Sequence, residues 1–349
     1  MAGVGRGYQT IKPSSRIRKI GDGQPGAPAE YLHGLPDVTI GCLDDLLIDT
    51  ARLEPFRHAR VHDPRDSRLF EAPIAIVHKS PPAERGRIRV GVTEQPVAYN
   101  ENFYGYCPGT FDRADILVRY LALVFGSKFA LWLALLTSGE FGFERDVIEK
   151  SALDRIPLPD FRQLTPECCE EIVRLFDAVR ASEDAWVEVD RWVTNLYGLG
   201  PTDLTIISDT LAYNLPFAET KLAAQAPPEP NVAQNFCSLL QDELAPWAER
   251  FNTPLRVHMV SARSTSPWMG LLLDTTTDTS DLRVPQDWEG LLALADATAA
   301  TEVIVENNSG SLLIGRLAQS RYWSETQAHL LAQHIIWSRI NFLKRPDRG

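Results

Sequence analysis

Phe70-Glu-Ala-Pro-Ile-Ala-Ile-Val-His-Lys79 is followed by Pro81-Pro82 and then by Arg87-Ile-Arg-Val-Gly-Val92. The run from Pro73 to His78 is almost wholly apolar and short, the pattern of a strand buried on both faces. The second run alternates polar and apolar side chains, which predicts a half-exposed strand. The prolines and Gly86 between them are turn chemistry, so the two runs are expected to pair as antiparallel strands. Working outward, Val97 to Tyr99 and Phe103 to Tyr106 read as two more short strands around an Asn-Glu-Asn turn. A short strand near Val38 to Ile40 and a helix-like run from Leu43 to Ala51 precede the pair.

From Asp112 to Thr137 the period becomes helical, with Asp112 as the expected N-cap. Tyr120 to Leu136 is nearly all apolar but contains Gly126, Ser127 and Lys128. It falls short of the roughly 20 apolar residues that a membrane span needs, so it reads as a buried helix and no membrane partner is expected. Glu144 to Lys150 reads as a short charged strand or turn, and Ile156-Pro-Leu-Pro159 as an extended exit. Helices are expected over Thr165 to Ala181, Ser182 to Tyr197 and Pro201 to Leu211; the first opens with Thr165-Pro166 and glutamates. After the linker QAPPEP, a helix over Asn231 to Phe251 leads to strands at Leu255–Ser261, Trp268–Asp274, Glu302–Glu306 and Ser311–Arg316. A helix over Ser324 to Lys344 closes the chain.

This order predicts an α+β protein. Its parts are a flexible basic arm (1–35), a small β-rich domain with helices (36–162), a helical segment (163–224), a linker (225–230) and a C-terminal α+β module with a mainly antiparallel sheet (231–349).

Across 349 residues the net charge is −11, a poor balance for gripping phosphates. Its distribution is uneven. Arg6, Lys12, Arg16, Arg18 and Lys19 form an arm without acids, residues 1–162 hold 21 basic and 21 acidic side chains, and residues 163–230 hold 4 and 12. The five cysteines are scattered and form no CxxC pair, which fits free thiols in a reducing cytoplasm.

Two segments in order carry a family resemblance. The first joins Phe70–Lys79, Ala134-Leu-Leu-Thr-Ser138, Phe141-Gly-Phe-Glu-Arg145 and Ile156-Pro-Leu-Pro159. The second is Val189-Asp-Arg-Trp-Val-Thr-Asn-Leu-Tyr-Gly-Leu199. Together, over residues 68–213, they resemble the target-recognition domain of TaqI-like adenine-N6 DNA methyltransferases. Thr137-Ser138 stands where that family has Asn-Ser, and Gly200-Pro-Thr-Asp203 where an acidic helix start usually comes next. The glycine-rich cofactor turn and the Asn/Asp-Pro-Pro-Tyr/Phe motif of such enzymes do not occur. The resemblance therefore implies a non-catalytic specificity subunit of a split modification, restriction or phage-defence system, with no cofactor of its own. It would bind DNA and work with a separate methyltransferase, nuclease or helicase subunit. The alternative keeps the fold as a protein scaffold without direct DNA contact.

Candidate DNA-contacting residues are Lys79, Arg85, Arg87 and Arg89 on the predicted hairpin, where Arg87 and Arg89, two apart on a strand, would share a face. Asn100 and Tyr104, in a patch with Tyr99, Asn102 and Tyr106, could read or stack on bases, though turn chemistry and core packing account for the patch as well. Arg145 lies in the family-like segment between two acids, where a salt bridge serves equally. His58, His62 and Asp63 have two histidines at helical spacing, but Pro64 ends any helix and no metal is expected. Trp323, His329, His334 and Trp337, at or along the last helix, read as core or a partner surface.

Overall fold

In the computed structural model, residues 12–13, 27–58, 60–61, 65–142, 145–260, 267–275, 288–306 and 311–344 are described. The chain divides into two compact units, residues 1–200 and 201–349. Each is a mixture of helices and antiparallel sheet, and the protein is an α+β protein.

The first unit is built on a four-stranded sheet of order β1-β6-β4-β5 (Lys12–Pro13, Phe103–Cys107, Ile74–His78, Val90–Thr93), all antiparallel. Two further two-residue strands, β2 (Ala27–Pro28) and β3 (Arg60–Val61), pair with each other. Every residue of β4 is buried. Ile74 and Ile76 join a core with Leu32, Leu43, Ile48 and Phe70 from the irregular segment before the sheet. Alternation puts Ala75 and Val77 on the other side, where α1 (Ala114–Phe125) packs on β4 and β5. Burial on both faces is why the strand reads as an unbroken apolar run.

The partner strand departs from expectation. It begins at Val90 and is wholly buried, so Arg87 and Arg89 lie on the approach to the strand and not within it. The segment Leu46–Ile48 runs parallel beside β5, with Ile48 N–H donating to Val92 O at 2.8 Å and Val92 N–H to Leu46 O at 2.8 Å. This pairing covers the free edge of β5. The side chains of Leu43 and Ile48 cover the face predicted to be open, and a Cβ on Gly91 would stand 2.7 Å from Leu43 Cδ2 and 3.0 Å from Ile48 Cγ1. Val38 to Ile40 and Leu43 to Ala51 form 3-10 turns (Ile40–Leu43, Thr50–Arg52) and isolated bridges, not a strand and a helix.

The long helix expected over 112–137 is two. The chain bends by 69° between α1 and α2 (Lys128–Thr137). At the bend Ser127 Oγ donates to Val124 O at 2.6 Å and accepts from Ala130 N at 3.2 Å, capping the new helix. Arg113, with a left-handed φ of 53°, takes the N-cap of α1 in place of Asp112. Among the described residues no single helix is long and apolar enough to cross a membrane. A short α3 (Lys150–Asp154) begins at the end of the expected charged turn, and α4 (Pro166–Ala181) and α5 (Trp186–Tyr197) occupy the positions predicted for them. Thr165 caps α4 through its side chain, with Pro166 in the first turn.

The second unit starts with α6 (Pro201–Asn214), α7 (Ala218–Gln225) and α8 (Pro230–Arg250). The stretch expected as a linker is therefore internal to this unit: Ala226 O accepts from Ser320 N and Oγ at 2.8 and 2.9 Å. Strands β7 (Arg256–Val260), β8 (Trp268–Asp274), β9 (Glu302–Glu306) and β10 (Leu312–Leu317) form an antiparallel sheet of order β7-β8-β10-β9. Helices α8 and α10 (Glu325–Arg339) pack on one face around Phe236, Leu240, Leu271, Ile314 and Trp323. The other face takes α9 (Trp288–Ala297), a helix that the sequence pattern did not predict. Trp288 of α9 lies over Gly270 and Gly315, which face each other across β8 and β10.

Candidate functional site

Arg85, Arg87 and Arg89 lie on the loop between β4 and β5, and the fold gathers all three. They line a groove of about 680 Å³ in the first unit, walled by the 43–52 segment and by the junction of α4 and α5.

Arg87 is the most completely held. Its guanidinium donates to both oxygens of Asp190, at 2.9 and 2.6 Å, and to Gly126 O at 3.2 Å. Its flat face lies 5.0 Å from the centre of the Trp186 ring. Asp190 and Trp186 are four apart on α5, so one helical face supplies both the carboxylate and the aromatic cover. The same carboxylate accepts from Lys128 N at 3.0 Å, the first turn of α2, where the helix dipole favours negative charge. Gly126 completes the joint, since a Cβ there would overlap the Trp186 ring. With 13% of its side chain exposed, Arg87 ties together the loop, the α1–α2 bend and α5.

Arg85 and Arg89 converge on one atom. Asp44 Oδ1 lies 3.3 Å from the Arg85 guanidinium and 3.4 Å from that of Arg89. Glu183 adds a contact to Arg85 at 3.2 Å and Glu84 one to Arg89 at 3.7 Å. Arg89, like Arg87, has 13% of its side chain exposed, whereas Asp44 has 54%. The groove thus has guanidinium groups in its floor and carboxylates on its rim.

The other candidates stand elsewhere. Lys79 extends the β4 ladder, its N–H donating to Asn102 O at 3.1 Å and its carbonyl accepting from Ile148 N at 2.7 Å. Tyr104 is buried and donates to Ile148 O at 3.2 Å. Asn100 accepts from Asn102 N at 2.9 Å, an Asx turn. Tyr106 is buried against Asp154, and burial holds its phenol well above the usual range. Arg145 is 68% exposed and 3.7 Å from Glu140, apart from the groove. His62 and Asp63 lie outside the described residues, as do Phe143 and Glu144. Among the described residues no cluster of three metal-ligating side chains occurs.

No protein-family model matches the chain, and no curated protein sequence matches it. The groove's chemistry accordingly rests on its own residues. Asp44, Glu183, Trp186 and Asp190 were not singled out by sequence reasoning. One of them had a signal: Asp190 is the acid of the Val189–Leu199 segment, a lone carboxylate opening an otherwise apolar helical stripe.

Proposed function

We propose that this chain is a non-catalytic interaction subunit, a recognition-type module that docks a partner through protein contacts without itself gripping DNA. The observation that carries this reading is the internal neutralisation of its arginine loop. A cation that reads phosphate or guanine must offer its donors outward. Arg87 spends its fork on Asp190, and Arg85 and Arg89 face Asp44, Glu183 and Glu84. Charge points the same way: residues 1–200 carry 24 basic and 29 acidic side chains and residues 201–349 carry 11 and 17, so each unit is acidic.

The second unit offers a surface of a different kind. On α10, Leu330 and Trp337 are exposed and two turns apart, hence on one face, with Trp337 86% exposed. An exposed aromatic on a rigid helix suits an anchor in a protein interface. By the sequence resemblance, the partner is a methyltransferase, nuclease or helicase subunit of a split system.

The test is recovery of tagged protein from its own cells, with and without nuclease. A catalytic partner that survives nuclease and is lost with Trp337→Ser is the expected result. In parallel, duplex DNA should bind no more tightly than about 10 μM at physiological salt, within the non-specific range. Submicromolar binding with a steep salt dependence would overturn the proposal in favour of direct DNA recognition.

A further inference from the structure

We infer that the outer edge of β9 is a docking site for an extended segment of a partner protein, one that carries a basic side chain and joins the second sheet as an added strand. The inference goes beyond the α10 surface and stands on a different observation.

β9 is the last strand in the order β7-β8-β10-β9, and among the described residues it pairs only with β10. Leu317 N–H donates to Thr301 O at 3.2 Å, and Glu302 stands opposite Arg316. In an antiparallel ladder this makes Glu302 and Arg316 a non-hydrogen-bonded pair, so Val303 and Val305 turn their backbone groups toward β10. Glu302, Ile304 and Glu306 therefore point N–H and C=O away from the sheet, and among the described residues no donor or acceptor meets them. The strand is nonetheless held in place from both faces. Val303 and Val305 pack with the α9 core and Ile304 with the α8 and α10 core. An edge fixed in pairing geometry is a template for another strand. The opposite edge of the sheet is different. Val257 of β7 also points its N–H outward, but the Gln241 side chain of α8 accepts it at 3.1 Å. One edge is plugged by the protein's own helix; the other stays open.

Charge names the occupant. Glu302 is answered by Arg316 at 2.9 Å, whereas Glu306 is exposed and has no cationic partner among the described residues. A second copy of the chain fits poorly. Twofold antiparallel pairing centred on Ile304 would set each Glu306 opposite the other copy's Glu302, an acid whose cation is already taken. Both copies would also bring an acidic second unit, with 11 basic and 17 acidic side chains. An incoming antiparallel strand with Lys or Arg opposite Glu306, a β-branched residue opposite Ile304 and a neutral residue opposite Glu302 satisfies each position. Main-chain bonds then supply the affinity and the cross-strand pairs the choice of partner.

The probe is the peptide acetyl-Ser-Lys-Thr-Val-Thr-Thr-Ser-amide, titrated into the full-length protein and followed by NMR of the backbone amides. The Ile304 N–H is expected to shift and to gain protection from hydrogen exchange, whereas Val303 N–H, already bonded to β10, changes little. N-methylation of the peptide valine removes the donor that faces Ile304 O and should weaken binding by more than about tenfold. N-methylation of the threonine before it, whose N–H faces away from β9, should weaken binding by less than about twofold. Glu306→Lys should weaken binding by about threefold, and exchanging the peptide lysine for glutamate should restore it. Trp337→Ser should leave every one of these values unchanged, which separates this site from the α10 surface. A silent Ile304 amide, or equal losses from the two N-methylations, would overturn the proposal. So would an Ile304 amide already protected in the free protein: protection that grows with protein concentration would assign the edge to a second copy, and constant protection to the chain itself. None of these outcomes touches the reading of α10.

Discussion

Asp190 accepts three hydrogen bonds at once, two from Arg87 and one from Lys128 N–H, and its removal tests how much of the groove's structure depends on it. The Arg87–Asp190 pair is only partly open to water. Asp190→Asn leaves a largely desolvated guanidinium opposite a neutral amide. Breaking one side of a buried pair costs about 3–5 kcal/mol, and the residual exposure lowers that to about 2–4 kcal/mol. Urea unfolding is expected to show the loss, whereas Asp44→Asn should change stability by less than about 1 kcal/mol, since that pair is loose and exposed. Equal losses would place the two carboxylates in the same role. His78 supplies a pH dependence. Burial lowers its pKa, the Ser80 carbonyl partly opposes this, and Arg89 and Lys79 add to the lowering. A base whose folded pKa is depressed binds protons more readily when unfolded, so stability falls as pH drops below about 6.5, the unfolded value. Melting temperature should therefore decrease from pH 7 to pH 5, and less so in His78→Gln. Parallel pH profiles in the two proteins would remove His78 as the source.

At the scale of elements, the second sheet is fitted to one tryptophan. Gly270 and Gly315 pair across β8 and β10, and the Trp288 ring of α9 fills the hollow between them. A Cβ on Gly315 would stand 2.8 Å from Leu292, 2.9 Å from Trp288 and 3.0 Å from Val303. On Gly270 the nearest atom is at 3.1 Å and the Trp288 ring at 3.7 Å. Gly315→Ala should cost about 1–3 kcal/mol as overpacking and Gly270→Ala clearly less. Combining Gly315→Ala with Trp288→Leu should cost less than the sum of the two, because the clash and its source are coupled. Strict additivity in thermal unfolding would show that Trp288 does not fill the hollow. These glycines also explain what the sequence could convey. β8 and β9 were legible to the residue because each carries its own apolar run. Helix α9 was not, since what seats it is a hollow formed by two glycines on separate strands, β8 and β10, that only the folded sheet brings together. The arginine loop was misread for a related reason: alternation between Arg87 and Val92 implies an open face, but Leu46–Ile48 pairs beside β5 and Asp190 lies 103 residues from Arg87. Residue types were readable there; their partners depended on long-range contacts.

At the scale of the whole molecule, the question is which residues the second cooperative unit needs. Composition alone puts the break at the proline-rich stretch 225–230, but α6 and α7 belong with the C-terminal sheet and its helices. Asp209 of α6 accepts from Thr326 N at 2.7 Å, so α6 supplies an anion to the first turn of α10. Helix α6 also packs on α10, and Ala226 O accepts two bonds from Ser320. A fragment of residues 201–349 retains these contacts and is expected to fold alone with one cooperative thermal transition. A fragment of residues 231–349 keeps the central core around Phe236 and Trp323 and the Ser324 cap of α10, but leaves Thr326 N–H without its Asp209 acceptor and one side of the helix bare. Loss of that charged acceptor alone costs about 1 kcal/mol. With the lost packing, a melting temperature lower by about 10 °C is expected, since each kcal/mol shifts a domain of this size by about 3–5 °C. The single substitution Asp209→Ala in the longer fragment should reproduce roughly a third of that drop. If both fragments melt together, α6 and α7 contribute nothing to the fold of the C-terminal sheet, and the functional boundary returns to the proline stretch. If only the longer fragment is stable and also captures the partner, the docking surface on α10 depends on helices that composition alone assigned to the other side of the linker.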